Sequence, residues 1–153
     1  MTGLDYPMLL ITTRVADEMD GCLIGFSTQC SIHPPRFLVC LSDKNRTYRA
    51  ARRAEALVVH VLPADAEELA ELFGGETQDE IDKFARCRWH PGPEDLPIVD
   101  ACRRWFAGRI VERREFGDHM GFVLEPFAVS AEDQDEGFLN FQTVKEMEPG
   151  HEP

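Results

Sequence analysis

The stretch that decides the fold spans residues 21–47 and reads GCLIGFSTQCSIHPPRFLVCLSDKNRT. Its first part predicts a strand in which small and hydroxyl residues, Gly25 to Ser31, stand where an ordinary core strand has aliphatic ones. Pro34-Pro35 ends this strand, because neither proline can donate to a central ladder. The apolar run within Arg36 to Ser42 predicts a second strand, buried on both faces. A polar loop then leads to a helix that Thr47 can cap.

Short apolar runs and turn signals on either side extend this into a mainly β chain. Residues 8–14 predict a strand and residues 22–32 its return strand, joined by a hairpin turn within ADEMDG (16–21), which ends in Asp-Gly. Further strands are predicted at 56–62, 98–114, 119–131 and 138–144, and helices at 47–53, 64–73 and 79–86. Strands connected in this way close most easily as an antiparallel barrel, which removes exposed edges. We therefore predict a β-barrel with short helical insertions.

Composition and charge exclude several classes of protein. The chain has 153 residues, one domain's length, with 16 Lys and Arg against 28 Asp and Glu, a formal net charge of −12. This balance argues against a nucleic-acid partner. No apolar run approaches the roughly 20 residues of a membrane helix, and the N-terminus lacks a secretory signal pattern. We expect no membrane association, a cytoplasmic location and five cysteines that are buried thiols rather than a disulfide framework.

The loop Ser42-Asp43-Lys44-Asn45-Arg46-Thr47 is the first candidate binding site. It lies between a predicted buried strand and a predicted helix start, where unpaired backbone N–H groups and the helix dipole favour phosphate. Lys44 and Arg46 add positive charge, while Ser42, Asn45 and Thr47 add neutral hydrogen bonds. A plain capped helix with solvated basic residues explains the same pattern, and composition alone favours that simpler interpretation.

Two other segments carry candidate chemistry. The hydroxyl and amide groups of residues 25–31 need partners if they are buried, and a planar ring such as a flavin supplies such partners along one edge. An edge strand facing water explains the same residues equally well. His119 follows Gly117-Asp118 at a hairpin tip, where it could contact a cofactor or substrate, although an exposed turn histidine is the commoner case. Cys87 and His90 have a metal-ligand spacing, but no second close pair follows, so we predict no metal site.

Taken in order, these segments resemble the flavin-reductase-like family of FMN-binding split barrels. Members have a glycine, a hydroxyl-rich strand and a Ser-x-x-Pro-Pro turn, matched here by residues 21–35. A buried strand and a phosphate loop follow, with a Val-Asn-Val-Leu-like strand, an Asp-Lys-Phe segment and a Gly-Asp-His hairpin, matched by residues 39–47, 59–62, 82–84 and 117–119. The resemblance covers about Leu9 to Ala131. It implies an antiparallel, Greek-key-like FMN-binding split β-barrel over residues 1–145, followed by a loose polar tail at 146–153.

The resemblance also implies a cofactor, an activity and a set of site residues. It implies FMN in a homodimer, with the flavin where two barrels meet and His119 as the candidate catalytic residue. The activity implied is that of an NAD(P)H:flavin reductase, which passes a hydride from a nicotinamide to FMN and can supply a flavin-dependent monooxygenase. A non-catalytic flavin-binding or carrier protein is the alternative, because several members have a small polar residue where Gly25 or Phe26 stands. The implied cofactor-binding residues are Gly25, Phe26, Ser27, Thr28 and Gln29 for the ring, and Ser42, Lys44, Asn45, Arg46 and Thr47 for the phosphate.

Overall fold

In the computed structural model, which describes residues 3–74 and 82–131, the chain is mainly β. The described strands are β1 Leu9–Val15, β2 Glu18–Ile24, β3 Ser27–Ser31, β4 Arg36–Ser42, β5 Ala56–Val61, β6 Trp89–Pro91, β7 Pro97–Val99, β8 Trp105–Glu115 and β9 His119–Val129. The helices are α1 Arg46–Ala51 and α2 Glu67–Gly74, with short 3-10 turns at Lys83–Ala85 and Pro93–Asp95. Within these residues, no helix combines the length and apolar character needed to cross a bilayer.

Seven strands form one antiparallel sheet in the order β2-β1-β5-β8-β9-β4-β3, and β6 pairs with β7 in a separate two-stranded sheet. The two edge strands of the large sheet, β2 and β3, are consecutive in the chain and are joined only by Gly25 and Phe26. The sheet must therefore curl until its edges meet. The backbone N–H of Cys40 donates to the carbonyl of Phe26 at 2.9 Å, which ties this junction to β4. The predicted antiparallel barrel with short helices is confirmed.

The interior of the sheet follows the two-residue alternation of its strands. On β4, Val39 and Leu41 are fully buried, whereas Cys40 and Ser42 between and after them are only partly covered. The prediction that β4 is buried on both faces is therefore wrong, since helices cover only part of this sheet. The consequence for function is that β4 presents Cys40 and Ser42 on its other face, where a ligand can reach them.

The prediction of one continuous return strand over residues 22–32 is wrong, because this stretch contains parts of two strands, β2 and β3, which lie on opposite edges of the sheet. The predicted hairpin turn within residues 16–21 is confirmed, but the Asp-Gly signal for it is wrong. The turn falls at Ala16-Asp17, with Ala16 at φ +54°, and Asp20 and Gly21 lie inside β2. Gly21 serves packing instead, since a Cβ there would lie 2.8 Å from the Phe73 ring of α2. The glycine of the Asp-Gly pair is therefore explained by a close contact between helix and sheet. Turn statistics alone do not distinguish such a glycine from one in a hairpin turn.

Three other boundaries differ from prediction. The stretch 98–114 divides into β7 and β8, and its first part pairs with β6, a strand that sequence patterning missed. Helix α1 is capped by Asn45, whose Oδ1 accepts from the Thr47 backbone N–H at 3.0 Å, rather than by Thr47. The described part of the predicted helix 79–86 is a 3-10 turn capped by Asp82. The predictions for residues 79–81, 138–144 and 146–153 fall outside the described residues.

All five cysteines lie in the described part of the chain and are free, which confirms that they form no disulfide framework. The prediction that they are buried holds for Cys22 and Cys102 but is wrong for Cys30, which is exposed on the edge strand β3. Burial raises the pKa of the Cys22 thiol to about 12, against the smaller opposing effect of hydrogen bonds from the Thr47 and Asn45 side chains. The Cys22 thiol is therefore protonated and packs as a core group.

A buried histidine connects the two sheets. His60, on β5, accepts a hydrogen bond at Nε2 from the Val99 backbone N–H of β7 at 3.1 Å. Its other nitrogen, Nδ1, therefore carries the proton and donates to the Leu10 carbonyl of β1 at 3.1 Å. The Val99 N–H would otherwise be buried without a partner, whereas Leu10 also pairs with the neighbouring strands of the sheet. The histidine replaces the asparagine of the Val-Asn-Val-Leu pattern and, like an amide, offers one donor and one acceptor.

We expect acid to destabilise the fold through His60. Burial lowers the pKa of this imidazole to about 4, from 6.5, outweighing the opposing hydrogen bond to Leu10. Between these values the unfolded chain binds more protons than the folded one, so the free energy of unfolding decreases as pH falls from 6.5 to 4. The full loss from this group is about 3 kcal/mol. Urea unfolding at pH 7, 5 and 4 measures this loss. In a His60→Asn variant the free energy of unfolding should decrease less between pH 7 and pH 4 than in the parent. The same pH dependence in variant and parent would contradict the role of His60.

Candidate functional site

A cavity of about 180 Å³ opens where the β2–β3 junction meets the facing ends of β4 and β9. Its walls come from the segment before β1, the β2–β3 junction, β4, the start of α1 and β9. The lining residues are Tyr6, Met8, Leu23, Ile24, Gly25, Phe26, Cys40, Ser42, Asn45 and His119. The structure thus brings together five of the site residues named from the sequence: Gly25, Phe26, Ser42, Asn45 and His119.

Strand pairing places the Gly-Asp-His hairpin beside the predicted phosphate loop. Ser42, the last residue of β4, lies directly opposite His119, the first residue of β9. One residue further on, the Asp43 backbone N–H donates to the Asp118 carbonyl at 2.9 Å. Because β4 and β9 are antiparallel neighbours, two segments that are distant in the sequence end at the same edge of the cavity. The sequence alone did not predict this pairing.

His119 is held by two neighbours. Its Nδ1 lies 2.7 Å from Asp118 Oδ1, and since a carboxylate can only accept, Nδ1 carries the proton of this hydrogen bond. This bond and the charge of His119 lower the pKa of the Asp118 carboxyl, and Lys44 contributes in the same direction. The imidazole also packs against the Phe26 ring, with 4.9 Å between centroids and 47° between planes. These contacts define the orientation of the imidazole at the cavity wall.

Tyr6 covers the junction between β2 and β3. Its ring contacts Phe26 edge-on at 5.8 Å between centroids. A Cβ on Gly25 would overlap the ring carbons of Tyr6, so only glycine lets the tyrosine approach this closely. Tyr6, Met8 and Phe26 are each between 41% and 49% exposed, which leaves an apolar rim around the cavity. Sequence reasoning missed Tyr6 and Met8, because no motif marks them and only the fold brings them to Gly25.

The side chains of the predicted phosphate loop lie in different surroundings. Ser42 Oγ accepts from the Lys44 backbone N–H at 3.3 Å, and the Lys44 side chain is exposed near Asp118. Arg46 turns towards β2, with its Nε 3.4 Å from Asp20 Oδ1. The Thr47 side chain is buried beside Cys22. Roles for Arg46 and Thr47 in phosphate binding therefore stay predictions, while Ser42, Lys44 and Asn45 lie at or beside the cavity.

The hydroxyl-rich segment is an edge strand, which was one of the two interpretations of the sequence. Ser27 is partly exposed, and Thr28 and Gln29 are exposed. The Thr28 hydroxyl donates to the Gln29 carbonyl at 3.1 Å and the Gln29 amide donates to the Ser31 carbonyl at 3.2 Å. Because β3 is the last strand of the sheet, one side of its backbone has no partner strand among the described residues. Those N–H and C=O groups match the donors and acceptors along the pyrimidine edge of a flavin.

The donors present fit FMN. A cation and a hydroxyl, Lys44 and Ser42, suit a phosphate. The outer edge of β3, unpaired among the described residues, suits the polar edge of the isoalloxazine ring, although the predicted ring residues Ser27, Thr28 and Gln29 do not line the cavity. The aromatic rings of Tyr6 and Phe26, which do line it, suit the faces of the ring. The cavity, however, is smaller than the roughly 300 Å³ at which ligand pockets begin. A flavin therefore needs more enclosure than this cavity provides.

The curled antiparallel sheet, with its two edge strands joined end to end, is the FMN-binding split-barrel fold. The FMN-binding protein from Thermus thermophilus, solved with bound p-hydroxybenzaldehyde, superimposes with a TM-score of 0.77 at 24% identity. The match covers 83% of this chain and 72% of that one. This likeness establishes the fold class.

The chain belongs to the flavin reductase like domain family, whose model matches residues 1–147. It is 32% identical over 133 residues to the FMN reductase (NADH) RutF of Ancylobacter novellus, a match covering 84% of this chain and 73% of that one. It is 31% identical over 126 residues to the 4-hydroxyphenylacetate 3-monooxygenase reductase component of Pseudomonas aeruginosa, with coverages of 78% and 72%. With a probable flavin reductase of Rhizobium meliloti it shares 29% identity over 114 residues, which span 72% of this chain but only 36% of that longer protein.

Proposed function

We propose that this protein is an NAD(P)H:flavin reductase that uses FMN. The observation that carries the proposal is the convergence of the Gly-Asp-His hairpin, the phosphate loop and the β2–β3 junction on one cavity. Two relatives that match most of this chain are named as an NADH-dependent FMN reductase and as the reductase component of a monooxygenase. Bound flavin would supply the redox chemistry, by accepting a hydride from the nicotinamide.

The protein's own residues would bind and orient the reactants. Lys44 and Ser42 would hold the phosphate, and the unpaired backbone of β3 would hold the polar edge of the ring. His119 would stand at the ring face, where the nicotinamide approaches, with its imidazole fixed by Asp118 and Phe26. The Asp118 hydrogen bond keeps a proton on Nδ1, so Nε2 is the nitrogen left to face a ligand.

Absorbance measurements test the proposal directly. The purified protein is dialysed against FMN, and its visible spectrum is recorded before and after. NADH and NADPH oxidation is then followed with FMN as acceptor. We expect a bound flavin band and FMN-dependent oxidation of at least one nicotinamide. If no flavin binds at micromolar concentrations, the proposal is wrong.

We further propose that two protomers complete the site. The single-chain cavity of about 180 Å³ is rimmed by the exposed side chains of Tyr6, Met8 and Phe26. A second barrel seated on this rim would cover apolar surface and enlarge the enclosure. The same arrangement would suit a reductase that supplies a flavin-dependent monooxygenase, and five free cysteines fit a cytoplasmic location. Light scattering of the eluted protein should give twice the chain mass of 17.4 kDa.

A non-catalytic flavin-binding protein is the second candidate, because Phe26 packs directly against His119. A phenylalanine in contact with the imidazole occupies space at the face where a nicotinamide would approach. The two functions differ in one measurement. A carrier would bind FMN without oxidising NADH or NADPH, whereas a reductase would turn over many equivalents of nicotinamide for each protein chain.

A charge-removing substitution tests the phosphate contact. We expect Lys44→Ala to weaken FMN binding by about tenfold, because a charge-assisted hydrogen bond to phosphate is lost. Riboflavin, which has no phosphate, should bind equally well to the parent and the variant. Fluorescence titration with both flavins measures the difference. Arg52→Ala, at the C-cap of α1 and outside the cavity lining, is the matched control. Equal losses for FMN and riboflavin would remove Lys44 from the phosphate site.

A further inference from the structure

Phe26 lies at the junction that joins β2 to β3, where its backbone is held on both sides. β2 ends at Ile24, and β3 begins at Ser27, which pairs with Val39 of β4. The Phe26 carbonyl accepts the hydrogen bond from the Cys40 N–H at 2.9 Å. The position of the Phe26 ring therefore depends on rotation about its side-chain bonds and not on movement of the chain.

The Phe26 ring itself is not part of the core. It is 49% exposed and lines the flavin cavity. It packs against the His119 imidazole at 4.9 Å between centroids and meets the Tyr6 ring edge-on at 5.8 Å. Tyr6 precedes β1 and is itself 44% exposed, so it covers Phe26 only in part. Because such ring pairs contribute modestly to stability, the phenylalanine can turn away from His119 at small cost.

His119, in contrast, is held in place. Its Nδ1 donates to Asp118 at 2.7 Å, and its side chain is 28% exposed. With Phe26 against the imidazole, the cavity measures about 180 Å³, below the roughly 300 Å³ at which ligand pockets begin. A planar ring that approaches this face of His119 must therefore take the place of Phe26. A nicotinamide ring can do so, because a planar heteroaromatic ring makes the same kind of contact.

We infer that Phe26 and the nicotinamide ring compete for the same face of His119, so that Phe26 sets the affinity for the hydride donor. The inference rests on the proposed function, which places the nicotinamide beside His119. When a side chain occupies a binding surface for part of the time, the apparent affinity of the ligand decreases by the fraction of molecules in which the surface is open. Phe26 thus acts on binding and does not take part in the transfer of the hydride.

The test is the steady-state kinetics of Phe26→Ala at saturating FMN. We expect the KM for NADH to fall by about threefold to tenfold, because no aromatic contact has to be displaced. The KM for NADPH should fall by the same factor, since both donors carry the same ring. The kcat should stay within about twofold of the parent value, because the change acts before the hydride moves. A merely structural role for Phe26 would raise the KM or lower the kcat.

Phe127→Ala is the matched control for the kinetics. Phe127 is a partly exposed phenylalanine, 39% exposed on β9, and it also makes one ring contact, with the Arg109 guanidinium at 4.8 Å. It lies outside the lining of the flavin cavity. Its removal should leave the KM for NADH and for NADPH at the parent values.

A second measurement does not depend on flavin or on turnover. The purified protein without added flavin is treated with diethylpyrocarbonate, which modifies accessible imidazoles, and peptide mass spectrometry follows each histidine. We expect His119 to react severalfold faster in Phe26→Ala than in the parent, because the phenylalanine ring shields the imidazole. His90, whose side chain is 56% exposed, is the internal reference and should react equally fast in both proteins.

An unchanged or raised KM in Phe26→Ala, or modification of His119 at the parent rate, would overturn the inference. Failure of the proposed function has other signatures. If the parent binds FMN but oxidises neither nicotinamide, the inference requires Phe26→Ala to gain that oxidation, and an inactive variant would overturn it. If the parent binds no FMN, the diethylpyrocarbonate reaction decides whether Phe26 covers His119.

Discussion

Replacing His60 with leucine is expected to lower the free energy of unfolding at pH 7 by about 3 kcal/mol. Leucine has a similar volume but no polar atoms, so the Val99 N–H would lose its partner and the Leu10 carbonyl, which also pairs within the sheet, would lose one hydrogen bond. A buried N–H left unpaired costs about 1–3 kcal/mol, and the lost hydrogen bond to Leu10 adds about 1 kcal/mol. Urea unfolding monitored by circular dichroism measures the loss.

Two comparison variants make the His60 result specific. His90→Leu alters a histidine that is more than half exposed on β6, and it should cost under about 1 kcal/mol. His60→Asn restores one donor and one acceptor and should recover part of the stability lost in His60→Leu. A His60→Leu variant that unfolds within 1 kcal/mol of the parent would show that the two hydrogen bonds contribute little.

We expect His119→Ala to reduce flavin-reductase turnover by about 100-fold while changing FMN affinity by less than about threefold. The imidazole lines the cavity beside Phe26 and is oriented by Asp118, but the predicted phosphate contacts lie on another segment. Steady-state oxidation of NADH or NADPH and fluorescence titration of FMN separate the two quantities. The ratio of the two effects is the decisive number, because a general loss of structure would lower both.

The chain contains a matched control for this experiment. His90 pairs with Asp100 through Nδ1 at 2.5 Å, which reproduces the His119–Asp118 contact on the second sheet, outside the flavin cavity. His90→Ala should leave turnover and FMN affinity near the parent values. Turnover of His119→Ala at the parent level would remove His119 from the catalytic machinery and favour the carrier function.

Local sequence patterns predicted the strands of this fold more accurately than its junctions. β1, β4, β5 and β9 coincide closely with predicted strands, because their apolar residues alternate or cluster in short runs. The division of 22–32 at Gly25 and Phe26 was missed, because the side chains continue a strand-like pattern across the point where the chain changes sheet edge. The Asp-Gly pair at 20–21 was wrongly interpreted as a turn, because the glycine at position 21 makes room for the ring of Phe73, a residue distant in the sequence.

The candidate site shows the same division between local and long-range information. The residues of the Gly-Asp-His hairpin and of the phosphate loop carry recognisable motifs, so the sequence named His119, Ser42 and Asn45. Tyr6 and Met8 carry none, since they enter the site only because Gly25 leaves room for them. The different directions taken by Lys44, Arg46 and Thr47 also depend on β2, which provides Asp20 and Cys22 as their neighbours.

The end-to-end junction of β2 and β3 links ligand binding to completion of the sheet. β2 and β3 meet as opposite edges of one sheet only when β5 is paired with β8 and β4 with β9, and these pairings join distant parts of the chain. Such long-range pairings make folding slow, because loop-closure entropy must be lost before the contacts are gained. The flavin cavity, which needs that junction, is therefore absent from partly folded chains. A ligand that binds only there stabilises the finished barrel alone, by about 2.7 kcal/mol at a concentration 100 times its Kd.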